Sequence, residues 1–144
     1  MDQGSHFVEV SQACDLGVEG CFDAWLKEVW VGGGGVPIPP TIIKRGDEQT
    51  GKGCIRQVPG CIQEEILEAA RGSFVEYRVK SGPFPVSYHR GRVEFRPADE
   101  GKTLVVWSCS FTPLFCMGPL VSLIIQQSFG VFLRHLAKTG KKAE

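Results

Sequence analysis

The sequence predicts an α+β fold in which a curved antiparallel sheet of seven strands wraps round one long C-terminal helix. Three observations carry that expectation. Short runs with period-two alternation of apolar and polar residues fill the stretch from Thr41 to Thr112. Clusters of Gly, Pro, Asp and Ser punctuate those runs, as in a meander of antiparallel strands. The final forty residues then change character, with Leu120 to Lys138 apolar on most sides, the mark of a helix buried on most of its faces. A length of 144 residues fits a single domain, residues 1–144, that buries about 68–70% of the surface its unfolded chain exposes.

Each element can be justified in order. Ser5 to Ala13 sets Phe7, Val8 and Val10 among polar residues and reads as the first strand. Asp15 is a candidate cap for a helix in which Val18, Cys21, Phe22, Trp25, Leu26 and Val29 recur at three- and four-residue intervals, as one helix or two short ones. GGGGVPIPP, Gly32 to Pro40, frees the backbone with four glycines and stiffens it with three prolines, so it reads as a loop and a candidate lid. Six strands follow: Thr41 to Arg45, Cys54 to Val58, Cys61 to Ala69, Phe74 to Lys80, Val86 to Arg96 and Lys102 to Thr112. Pro113 to Gly118 breaks the pattern and Pro119 suits a first helical turn. Nineteen residues from Leu120 to Lys138 would form a rod of roughly 28 Å, long enough to cross a small sheet.

Strand parity names the inward residues. Val75, Tyr77 and Val79 alternate with charged neighbours, as do His89, Gly91, Val93 and Phe95, while Val105, Trp107, Cys109 and Phe111 form a third set. Tyr77 and His89 thus fall among apolar residues, a composition typical of a pocket for a small molecule, although each also suits a core position with a local hydrogen bond. Adjacent Glu64 and Glu65 require one carboxylate to point inward unless the strand is an edge or bulged. Glu65 is the expected inward residue and Arg56 its expected partner, because an unpaired buried carboxylate is costly.

Composition narrows the functions. Sixteen Lys and Arg balance sixteen Asp and Glu, which supplies no field to recruit nucleic acid or an anionic membrane. The first residues lack a cationic start followed by an apolar run, and Gln126, Gln127 and Ser128 interrupt the most apolar stretch, so a cytoplasmic protein without integral membrane association is expected. The six cysteines fall in pairs seven apart, a spacing foreign to zinc sites, and are expected to be buried thiols. No metal or cofactor is expected: the three histidines, His6, His89 and His135, have no ligating spacing. GDEQTGKG matches GxxxxGK, but Gly53 stands where a magnesium-binding hydroxyl belongs and a strand follows in place of a helix, so it reads as a hairpin loop.

The order of elements, together with GKGCIRQV (Gly51 to Val58), QEEILEA (Gln63 to Ala69), EYRVKSGPFPVSYHRGRVEFRP (Glu76 to Pro97) and EGKTLVVWSCSFTP (Glu100 to Pro113), resembles the START-like SRPBCC superfamily, most closely its polyketide cyclase/dehydrase and lipid-transport branch. The resemblance implies a helix-grip fold enclosing a cavity for lipids, sterols, polyketides or plant hormones, in carriers, receptors, cyclases or co-chaperones. It carries no catalytic residue onto a numbered position. A small hydrophobic ligand is therefore the expected partner, with Trp25, Tyr77, His89, Phe95, Trp107, Ile124 and Phe132 as candidate lining. The alternative is a cyclase or dehydratase using Tyr77, His89 or Glu65 as acid or base.

Overall fold

The structure, a computed structural model, describes residues 6–34, 38–82, 86–113 and 118–143, with side chains described to residue 137 except at positions 87 and 118. Seven strands, β1 (His6–Cys14), β2 (Thr41–Lys44), β3 (Ile55–Val58), β4 (Ile62–Ala70), β5 (Phe74–Ser81), β6 (Val86–Pro97) and β7 (Thr103–Pro113), form one sheet in the order β1-β7-β6-β5-β4-β3-β2. All neighbours are antiparallel. Strands β2 to β7 pair in chain order, while β1 closes the far edge against β7. The expected fold is the observed one.

Between β1 and β2 the helix α1 (Val18–Ala24) runs without a break into a π-helical segment, Trp25–Val31. Asp15 does not cap it. Gly17 occupies the cap position with no side-chain bond, and Asp15 instead lies 3.5 Å from the Lys102 Nζ. The widened turns bring both Trp25 and Trp30 into the core, each fully buried. Of the Gly32 to Pro40 loop, residues 35–37 lie outside the described residues, as do 114–117 of the Pro113 to Gly118 break.

Helix α2 (Gly118–Ala143) is longer than the periodicity predicts. Val121, Ile125, Phe129, Leu133 and Leu136 form its buried stripe, which lies against β1, β7 and the helical segment. By length and composition Pro119–Ala137 could cross a membrane, contrary to the expectation that its polar residues make it too short. The buried stripe uses part of that apolarity inside the fold, while Leu120, Leu123, Ile124 and Val131 stand exposed, so the burial on most faces that the sequence predicts is not observed. Cys14, Cys21, Cys54 and Cys109 are buried as expected, but Cys61 is exposed, in the β3–β4 turn at a φ of 64°.

The inward faces of β5, β6 and β7 follow the predicted parity. Val75, Tyr77, Val93, Phe95, Val105, Trp107, Cys109 and Phe111 are all buried. One glycine is required by contact: Gly91 pairs with Tyr77 across the β5–β6 ladder, and a Cβ there would run into the phenol ring. Its absence lets the ring lie flat along the strand.

Candidate functional site

Towards one end of the interior the facing layers meet in solid contact. Phe22 of α1 packs edge-on against Phe95 with centroids 5.4 Å apart, and Trp25 meets Trp107 at the same separation. Towards the other end the layers diverge around a cavity of about 490 Å³. Tyr77, Val79, His89 and Trp107 form its sheet wall. Ile124, Ile125, Ser128, Phe129 and Phe132 of α2 form the opposite wall. Gly33, Ile38, Pro40 and the β3–β4 hairpin tip, Val58, Pro59 and Ile62, surround the mouth, while Arg56 and Glu64 lie on the β3–β4 side.

The polar groups of this wall are mutually engaged. Arg56 donates from Nε to Glu64 Oε1 at 2.8 Å, its Nη2 lies 2.8 Å from the same oxygen, and its Nη1 donates to the carbonyls of Val29 at 3.0 Å and Trp30 at 2.6 Å. The guanidinium also sits 4.2 Å above the Trp30 ring. One arginine thus neutralises a nearly buried carboxylate and caps the carbonyl end of the π-helical segment, whose partial negative charge favours a cation.

Tyr77 and His89 are neighbours, with rings 5.7 Å apart. Trp107 Nε1 donates to the Tyr77 hydroxyl at 2.8 Å, and the Val79 N–H donates to His89 Nδ1 at 3.2 Å. A neutral imidazole accepting at Nδ1 carries its proton on Nε2. Burial lowers the His89 pKa from 6.5 to about 4, so the ring is neutral at pH 7. Burial, reinforced by the Glu64 charge, raises the Tyr77 pKa well above its ordinary value and keeps the phenol protonated. Among the described residues no group of three or more His, Cys, Asp or Glu could hold a metal ion.

Of the candidate lining, Tyr77, His89, Trp107, Ile124 and Phe132 lie on the cavity. Trp25 and Phe95 do not: Phe95 is covered by Phe22 of α1, and Trp25, on the π-helical segment, packs edge-on against Trp107. Glu65 is not the inward glutamate. It pairs across the outer face with Arg78 at 3.1 Å, and Glu64 takes the inward place opposite Arg56. The irregularities leave the alternation of β4 intact from Ile62 to Ile66: the first inserts its extra residue in β5, between Val79 and Ser81, and the second lies beyond Ile66. The parity shared by Ile62, Glu64 and fully buried Ile66 is the signal that finds the inward glutamate. Ser128 and Phe129 escape sequence reasoning because a helix apolar on most sides does not declare which face meets a hollow.

Comparison with known proteins places this geometry among relatives. The family model for polyketide cyclase/dehydrase and lipid transport matches residues 22–140. A solution structure from Thermobifida fusca is 22% identical, with 96% of this chain and 95% of that one covered and a TM-score of 0.72. A protein from Nitrosospira multiformis is 17% identical over 92% of this chain and 94% of that one, TM-score 0.73. A START superfamily protein from Mycobacterium smegmatis is 12% identical over 97% and 100%, TM-score 0.71. At such identities these structures speak for the fold alone. Curated protein sequences give no match.

Proposed function

The chain belongs to the polyketide cyclase/dehydrase and lipid transport family, and from that premise we propose that it holds a small hydrophobic molecule between the sheet and α2. The cavity of about 490 Å³ carries this reading. It falls within the roughly 300–1,000 Å³ of ligand pockets, and its wall combines apolar side chains with a few convergent polar groups. Two apolar side chains of the lining are also open to solvent, Ile38 at 65% and Ile124 at 46% exposure, which suits the approach of an apolar guest.

Binding is favoured over acid–base catalysis by the state of the polar groups. An efficient general acid or base titrates near the working pH. His89 is held near 4 and Tyr77 well above its ordinary value, so at pH 7 one is a weak base and the other a weak acid. Both are suited to orienting a ligand through hydrogen bonds.

Native mass spectrometry and thermal-shift measurements against fatty alcohols, fatty acids, sterols and aromatic polyketides test this. A bound, stabilising ligand from these classes is the expected result. No binding across all of them would contradict it.

A further inference from the structure

The charges around the cavity are already balanced, and that restricts what can enter. All three guanidinium nitrogens of Arg56 are engaged, Nε and Nη2 with Glu64 Oε1 and Nη1 with the carbonyls of Val29 and Trp30, and the side chain is 6% exposed. It offers an incoming anion no open pair of donors. Both Arg56 contacts with Glu64 converge on Oε1, and Oε2 has no partner among the described residues. Glu64 therefore presents an acceptor and a negative charge to the space it lines. Close by, the Tyr77 hydroxyl accepts from Trp107 and retains its own proton to donate.

A ligand hydroxyl is both donor and acceptor, able to donate to Glu64 Oε2 or to accept from the Tyr77 O–H on the same cavity wall. A carboxylate can only accept, and would be buried beside a like charge with no cation but the engaged Arg56 among the described lining residues. On the premise that the cavity is the binding site, we propose that its ligand is an uncharged, largely apolar molecule bearing a hydroxyl group, and that Glu64 excludes the corresponding carboxylate.

Calorimetry with decan-1-ol and decanoate at pH 7.5, on the wild-type protein and on Glu64→Gln, tests the assignment. In the wild type the alcohol should bind at least about tenfold more tightly than the acid. In Glu64→Gln the acid should gain affinity, because Arg56 loses its compensating charge, and the gap should close. Decanoate binding to the wild type as tightly as decan-1-ol would overturn the assignment while leaving the cavity a binding site. Failure of both probes, together with an empty ligand panel, would overturn the cavity reading itself. The wild-type comparison stands even if Glu64→Gln folds poorly.

Discussion

The two ends of the interior are built from the same strands yet do opposite things. At one, Val75, Val93, Phe95 and Val105 are fully or almost fully buried, with Phe22 of α1 packed on Phe95 and Trp25 of the π-helical segment on Trp107. At the other, Val79, His89 and Tyr77 continue the same inward faces and line the cavity across from α2, with Gly33, Ile38, Pro40 and the β3–β4 hairpin tip around it and Trp30 edge-on to Tyr77 at 5.6 Å. Trp107 stands at the junction, stacked on Phe129 at 4.2 Å and edge-on to Trp25. An alternating strand pattern thus specifies which side chains point inward. Whether they meet a partner depends on the layer above.

The polar inventory divides along the same line. Inside the hollow end Arg56, Glu64, Tyr77 and His89 all have partners, while among the described residues the buried Trp25 Nε1 at the packed end and the Arg90 Nε beside His89 have none. Tight aromatic packing leaves no room to satisfy the Trp25 Nε1, whereas the divergence of the layers admits a polar wall. Such a wall is tolerable in an apolar interior only when its members are paired.

The largest way to break this comparison is to remove the member on which the wall depends. Arg56→Met should destabilise the protein by about 3–5 kcal/mol in urea denaturation, because Glu64 is left charged and unpaired. The double variant Arg56→Met, Glu64→Leu should recover most of that loss. A single-variant cost within about 0.5 kcal/mol, the range of ordinary surface substitutions, would remove the pair from the account.

Truncations separate the ends. Phe22→Ala should cost about 3–5 kcal/mol and leave the ligand affinity of the folded protein unchanged. Trp107→Ala should cost a similar amount and also weaken binding, since that ring faces both regions. If Trp107→Ala leaves the melting temperature unchanged, the assigned strand parity is wrong.

The pH dependence of stability reports on the hollow end. The His89 imidazole takes its proton near 6.5 when unfolded and near 4 when folded, so between those values the unfolded chain binds more protons. Its contribution is fully present above pH 6.5 and is lost as the pH falls to about 4, roughly 3 kcal/mol in all. His89→Leu should flatten that part of the profile. An identical slope in the variant would show that His89 is not held neutral by burial.

The smallest effect is the sharpest contrast. Val75→Phe enlarges a residue in the packed end and should cost about 1–3 kcal/mol. Val79→Phe, two positions along the same face, extends into the cavity and should cost less while competing with the ligand. Equal costs would mean that the two ends are equally full.

Much of this was legible in the residues. Strands β5, β6 and β7 alternate cleanly, and their inward sets are the observed ones. The terminal helix and the single inward carboxylate paired with Arg56 were also readable. What escaped depends on backbone irregularity. The π-helical widening over Trp25–Val31 carries no periodic signature in so short a segment, whereas the choice of Glu64 over Glu65 was readable from the parity of Ile62, Glu64 and Ile66. The exclusion of Phe95 from the cavity by Phe22, and of Trp25 by its packing on Trp107, is a tertiary fact that no single element encodes alone.

The central claim is that the guest occupies the hollow end. Isotope-filtered NMR on the labelled protein with unlabelled decan-1-ol tests it directly. Intermolecular contacts should fall on Tyr77, Val79, Phe129 and Phe132 and spare Phe22, Trp25 and Phe95. Contacts confined instead to Leu26 and Ile42, in the outer groove beside the β2–β3 loop, would contradict it.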